Sequence, residues 1–220
     1  MGKVTSIRKA TPAPAPTGPV RPFPPAALVE CPLPAFVPAP EVGAWFEAHV
    51  LAADGRLFNP EHKHLRDADI AYLWARGAIQ RQGRMVLGTC EQVAIRAGGW
   101  QRQRQEAQFL DWFGRVPQFL ITLAGDFCAS CADGEFAGLL EHEHYHIGQK
   151  MDEFGEPAFT KDGTPRLGMR GHDVEEFVGV VRRYGPSPDV KRLIDAAARA
   201  PEVAGINIAA CCGTCMERAA

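Results

Sequence analysis

The stretch His142-Glu143-His144-Tyr145-His146 contains two histidines and a glutamate with the types and spacing of a catalytic metal site. On a helix, positions i and i+4 are about 40° apart around the axis, so the imidazoles of His142 and His146 would point the same way and could bind one Zn²⁺. Glu143 would lie beside them and accept a proton from a water that the metal activates. The pattern therefore predicts metal-assisted hydrolysis with Glu143 as the general base.

A catalytic zinc site needs a third protein ligand and leaves one coordination position open. The candidates are His172, Glu175 and Glu176, which lie 26 to 30 positions after His146. Asp173 and Glu176 have the spacing of a capping box, which gives both a structural role at the start of a helix. We therefore favour His172 as the third ligand and keep Glu176 as the substitute. Asp173 or Glu175 would then accept a hydrogen bond from the second ring nitrogen of a ligand.

The elements that must position these residues can be predicted from hydrophobic spacing. The approach to the histidines reads as an amphipathic helix with Ser130 and Asp133 as cap candidates. β-rich apolar runs predict strands at 70–74, 84–88 and 119–123, and helical spacing predicts helices at 41–53, 101–113, 189–200 and from 172 onward. The polar stretch 59–64 is expected to be a solvated loop, and 148–171, with five Gly and two Pro, a long irregular one.

The 220 residues suggest one domain between two tails. Residues 1–40 carry 11 of the 18 prolines, so we expect a disordered Pro/Ala-rich tail with polyproline character. The domain itself would span residues 41–200. Residues 201–220 would form a Cys-containing C-terminal tail.

Two CxxC pairs, Cys128/Cys131 and Cys212/Cys215, have the ligand type for a second, structural zinc site. Nearly the whole catalytic region separates them, and the alternative is two unrelated thiol clusters. A disulfide framework is not expected, because the chain shows no secretory signal.

Charge and hydropathy narrow the range of partners. A formal net charge of -2 and a pI near 6.4 give no general electrostatic reason to expect nucleic acid or an acidic membrane. No apolar run is long enough to span a bilayer. We expect a cytoplasmic protein whose partner is a protein or peptide substrate.

The order of these motifs resembles that of the phage-type metallopeptidases and, more loosely, that of the SprT/Spartan-like zincins. The resemblance covers roughly residues 70–185 and rests on the strand at 119–123, Leu139-Leu-Glu-His-Glu-His-Tyr-His146, the Gly-rich loop, His172-Asp-Val-Glu-Glu-Phe177 and Arg182-Arg-Tyr-Gly185. It implies an α+β, zincin-like fold with a small mixed sheet packed on the HExxH helix and a following helix. It also implies a zinc peptidase, from a bacterial host or encoded by a phage, whose ligands are His142, His146 and His172, with Glu143 as base. His144 and the CxxC pairs depart from the pattern.

Three further hypotheses concern the use of such a site. A peptidase needs a donor for the developing oxyanion, and the candidates are Tyr184 and, as the alternative, Arg182. A non-catalytic zinc-binding interaction protein would instead close the site with a fourth ligand such as Glu176 or His144. A SprT/Spartan-like protease acting on DNA-bound proteins would need a local basic face, for which the sequence offers Arg96, Arg102 and Arg104.

Overall fold

The computed structural model describes residues 20–81, 83–174 and 178–202. The strands are β1 (Phe36–Pro38), β2 (Ile70–Ala75), β3 (Ile79–Arg81), β4 (Arg84–Val86), β5 (Gly88–Gln92), β6 (Phe119–Ala124), β7 (Ile147–Gln149) and β8 (Leu167–Met169). The α-helices are α1 (Ala26–Val29), α2 (Pro40–Phe46), α3 (Gly99–Phe113), α4 (Gly125–Ser130), α5 (Asp133–Tyr145), α6 (Val178–Tyr184) and α7 (Pro188–Ala197). A π-helix (Glu47–Leu51) continues α2, and a 3-10 helix occupies Pro60–Leu65.

The main sheet has four strands in the order β1-β2-β6-β5. β2 and β6 are parallel, and the two outer pairings are antiparallel, so the sheet is mixed. The central strands are apolar on both faces because both faces are covered. The expected α+β class with a small mixed sheet is confirmed.

Alternate residues of β6 belong to two different packed layers. Phe119, Ile121 and Leu123 face the larger core, which also contains side chains of α2, the π-helix and α5. Leu120 faces the opposite layer, where aromatic residues of α3 (Phe109, Trp112 and Phe113) cover the sheet. This alternation is the period-two pattern of a strand buried on both sides, and it places α5 against one face of the sheet.

The tail expected over residues 1–40 is wrong for its second half, because residues 20–40 pack on the domain. α1 buries Leu28, and β1 pairs antiparallel with β2. The prolines are tolerated here because of their positions: Pro38 lies on an edge strand and Pro40 begins α2. Residues 1–19 and 203–220, which make up about half of the predicted N-terminal tail and most of the C-terminal one, lie outside the described residues.

α5 follows α4 after a break of two residues, and this changes the predicted cap. Ser130 is the last residue of α4, and Ala132 rather than Ser130 or Asp133 is the N-cap of α5. Glu135 supplies half of a capping box, since its Oε2 accepts the Ala132 N–H at 2.7 Å. The helix ends at Tyr145, with His146 as the C-cap residue.

The stretch 148–171, expected to be irregular, has regular pairing at its base. β7 and β8 are antiparallel, with Ile147 opposite Met169. Isolated β-bridges extend the pairing into the segment between β7 and β8, where Met151 pairs with Pro157 and Phe159 pairs with Pro165. The sequence did not reveal these strands, because the stretch is rich in glycine and strands of three residues are too short to show an alternating pattern. The pairing brings residue 170 back to the end of α5.

Candidate metal centre

Three histidine rings from two parts of the chain converge at the C-terminal end of α5. The ring centroids of His142, His146 and His172 are 5.0 to 5.1 Å apart in every pair. The Nε2 atoms of His142 and His172 are 3.1 Å apart. Two nitrogens that bind one tetrahedral zinc at about 2.0–2.1 Å are roughly 3.3 Å apart, so the spacing matches that of two ligands of a single ion. Among the described residues, these three form the group of His, Cys, Asp and Glu side chains close enough to hold a metal.

The end of β8 positions two of the three rings. Nδ1 of His146 donates to the backbone carbonyl of Arg170 at 2.8 Å, and the Arg170 N–H donates to the His146 carbonyl at 2.8 Å. The first bond fixes the tautomer and makes Nε2 of His146 the nitrogen that can bind a metal. Since His172 follows two residues after Arg170, the same strand delivers the third ring.

The electrostatics of the cluster favour a neutral imidazole at His142. Burial, together with the neighbouring His146 and His172, lowers the pKa of His142 to about 4. At neutral pH the His142 ring therefore keeps the lone pair that a metal ligand needs. A donor set of three imidazoles suits zinc, so the residues present fit the metal that the pattern predicts.

Glu143 is fully buried and lies against the sheet at β5. A side chain at Gly88 would place its Cβ 2.8 Å from Oε1 and 3.0 Å from Cγ of Glu143. Glycine is therefore needed at position 88 for the carboxylate to lie where it does. The role of Glu143 as general base stays a prediction.

The other residues predicted for the site lie as follows. Asp173 forms an ion pair with the Arg170 guanidinium, and the carbonyl of the same Arg170 accepts the hydrogen bond from His146. Asp173 is therefore connected to His146 indirectly, through Arg170. Tyr184 ends α6 with 76 % of its surface exposed, and its role as oxyanion donor stays a prediction. Glu175 and Glu176 lie outside the described residues.

The first cysteine pair, Cys128 and Cys131, lies immediately before α5. Cys128 is buried in α4, and Cys131 is half-buried at its C-cap. A hydrogen bond between the two thiols raises the pKa of Cys128, as burial does, and lowers the pKa of Cys131. The second structural zinc site stays a prediction, since Cys212 and Cys215 lie outside the described residues.

His144 is not a metal ligand in this fold. Its Nδ1 donates to the Leu140 carbonyl at 2.7 Å, and its Nε2 accepts from the Tyr72 hydroxyl at 2.9 Å. The ring stacks on Phe46, with centroids 3.4 Å apart and planes inclined by 4°. Burial lowers the pKa of His144 to about 3, so the ring is a neutral core residue. A closed four-ligand site that uses His144 is therefore excluded.

The stretch 59–64 is not the solvated loop that its polarity suggested. It forms the 3-10 helix, whose His62 is fully buried, and it contacts the end of α5 and Ile147 just after it. The signal for the helix was present in Asn59-Pro60: asparagine is a good N-cap and proline suits the first helical position. Indeed, the Asn59 side chain accepts the Glu61 N–H at 3.0 Å.

Comparison with known proteins gives one match. Residues 43–198, more than two thirds of the chain, match the family model described as "Putative phage metallopeptidase". No curated protein and no solved structure matches the chain. The looser likeness to SprT/Spartan-like zincins therefore stays a prediction. No helix among the described residues is long and apolar enough to cross a membrane.

Proposed function

Since this chain belongs to the phage metallopeptidase family, we propose that it is a zinc peptidase whose metal is held by His142, His146 and His172. The observation that carries the proposal is the convergence of three imidazoles, with a 3.1 Å separation between Nε2 of His142 and Nε2 of His172. Three protein ligands leave a fourth position open, which is typical of catalytic rather than structural zinc. Zinc bound there would supply Lewis acidity, which acidifies water and polarises a carbonyl.

Glu143 is proposed to move the proton. A carboxylate next to two ligands on one helix accepts a proton from the attacking water and then gives it to the leaving amine, so that one peptide bond breaks and one water is consumed. Because Glu143 is buried against Gly88, its carboxylate has little freedom to turn away. This fixed position keeps the base in one orientation through both proton transfers.

The substrate backbone is proposed to pair with β5. This strand ends the sheet order, so one of its edges lies outside the main sheet. It also contains Gly88, the residue in contact with Glu143. An extended peptide that adds to such an edge would pass next to the base, and main-chain hydrogen bonds would supply affinity without a strict sequence requirement.

The experiment is a hydrolysis assay of the full chain on a library of fluorogenic peptides, before and after removal of metal by a chelator. We expect zinc-dependent cleavage that falls by about 10²- to 10⁴-fold in Glu143→Gln. The matched control is Glu106→Gln, which changes a half-buried carboxylate of α3 that pairs with Arg102 at 2.7 Å. Cleavage that is unchanged in Glu143→Gln would overturn the role of the base. Zinc binding without cleavage of any peptide would favour the non-catalytic interaction protein.

A further inference from the structure

Asn59 joins the 3-10 helix to the last two turns of α5. Its Nδ2 donates to Oε1 of Glu141 at 2.7 Å and to the Tyr145 hydroxyl at 2.9 Å. The Tyr145 hydroxyl in turn donates to Oε2 of Glu61 at 2.7 Å. Glu141 precedes His142 and Tyr145 precedes His146, so each neighbours a histidine of the metal centre in sequence. These bonds therefore hold the helix at the same turns that carry the ligands.

His64 holds the chain immediately after the helix. Its Nε2 lies 2.7 Å from the Ile147 carbonyl, and its Nδ1 lies 2.9 Å from the Glu61 carbonyl. Ile147 is the residue after His146, so this contact fixes the peptide that leaves the metal centre. Within the same helix, the buried His62 places its Nε2 3.4 Å from Oε1 of Glu141. Asn59, His62 and His64 thus all reach the end of α5.

The end of α5 needs such contacts because His146 lies at the helix terminus. His146 is the C-cap residue, and the last carbonyls of a helix have no partners within it. Helix ends fray, and a ligand at a frayed end would lose its alignment with a ligand one turn earlier. The Arg170 carbonyl holds the His146 ring itself, whereas the 3-10 helix holds the backbone that carries it.

We propose that residues 59–64 are a positioning element for the metal centre, in which Asn59 and His64 align the last turn of α5 so that His146 faces His142 and His172. The inference rests on the proposed function, since it assumes that the three histidines hold a metal. Asn59 and His64 contact no reacting group and act through the helix. Contacts of this kind behind metal ligands typically change metal affinity by about 10- to 100-fold.

The test is the zinc affinity of the full chain, measured by competition with a chromogenic chelator, in Asn59→Asp. Aspartate keeps the oxygen that accepts the Glu61 N–H, so the start of the 3-10 helix is preserved. It loses both donated bonds and places a carboxylate against Glu141. We expect zinc binding to weaken by about 10- to 100-fold. Glu106→Gln is the control and should bind zinc as the wild type does.

A second substitution should restore the affinity. In the double variant Asn59→Asp/Glu141→Gln, the glutamine amide donates to the aspartate, which reverses the donor and acceptor of the original bond. We expect Glu141→Gln alone to stay within about threefold of the wild type, because its amide can present an oxygen to Asn59. The double variant should recover most of the loss in Asn59→Asp, as a coupled pair does. Tyr145→Phe, which removes only the hydroxyl, gives an independent variant should Asn59→Asp fold poorly.

Unfolding of the metal-free variants separates positioning from a purely structural role. A structural role would lower the unfolding temperature and leave the zinc affinity of the folded chain unchanged, and this result would overturn the inference. Failure of the double variant to recover affinity would overturn it as well. A wild type that binds no zinc would instead contradict the proposed function, so the two failures are distinguishable.

Discussion

Single side chains of α5 have different roles according to the face of the helix on which they lie. His142 and His146 turn toward His172, whereas Glu143 faces β5 and His144 faces Phe46 and Tyr72. The i, i+4 spacing made the convergence of the His142 and His146 rings predictable, since it follows from helix geometry alone. The burial of His144 was not predictable, because its partners Phe46 and Tyr72 are distant in sequence.

His144→Ala should destabilise the fold without removing metal. The substitution deletes a ring stacked on Phe46 and leaves the buried Tyr72 hydroxyl without its acceptor. We expect a loss of about 2–4 kcal/mol in the free energy of unfolding, measured by urea denaturation. Metal content at saturating zinc should equal that of the wild type. Loss of metal with unchanged stability would show instead that His144 is a ligand.

Gly88→Ala should impair catalysis and leave metal binding intact. The new Cβ would lie 2.8 Å from Oε1 of Glu143, and the buried carboxylate would have to shift. A displacement of this size costs roughly 10- to 100-fold in turnover. Peptide hydrolysis at saturating zinc measures it. Gly98→Ala is the matched control, since a Cβ there meets no atom within 4 Å; equal activity in both variants would contradict the placement of the base.

Among the helices and strands, those that support the site include segments whose structure the sequence did not predict. The prediction located α5 and β6 because both have strong periodic or apolar patterns. It missed the packing of residues 20–40 and the 3-10 helix at Pro60–Leu65, since their partners lie about 35 to 110 positions away. Proline-rich and polar stretches carry no periodicity, and only the long-range contacts reveal that they are ordered. His172 could be singled out as a candidate third ligand because it stands alone before a capping pattern.

Arg21 links the N-terminal segment (residues 20–40) to the start of α5. The buried guanidinium donates to Oδ1 of Asp133 at 3.0 Å, to the Cys131 carbonyl at 2.6 Å and to the Cys128 carbonyl. Phe23 lies 4.1 Å from the same group. These bonds satisfy carbonyls at the end of α4 and hold the first residue of α5.

Arg21→Ala should therefore cost about 2–4 kcal/mol in the free energy of unfolding, because it leaves buried acceptors without a donor. Chemical denaturation monitored by far-UV circular dichroism measures the loss. Arg192→Ala removes a largely exposed arginine paired with Asp189 and should change stability by less than about 0.5 kcal/mol. Equal effects of the two substitutions would contradict the packing of the N-terminal segment on α4 and α5.

In the molecule as a whole, a bound metal would join α5 to the segment that follows β8. His142 lies on α5, His146 is the C-cap residue of that helix, and His172 follows β8. A ligand that binds only the folded state stabilises it by mass action, by about 4 kcal/mol at a free concentration 1,000 times the Kd. Zinc should therefore raise the unfolding temperature, and a chelator should lower it again. A melting temperature that is insensitive to zinc in the wild type would contradict this linkage.

The most direct test of the three-histidine site is the metal content of the purified full chain by elemental analysis, beside His172→Ala and Glu143→Gln. We predict about one zinc per chain, retained in Glu143→Gln and lost or strongly reduced in His172→Ala, as expected for three ligands and a separate base. A second zinc would indicate that the cysteine pairs also bind. Absence of zinc from the wild type, or a full complement in His172→Ala, would contradict the site.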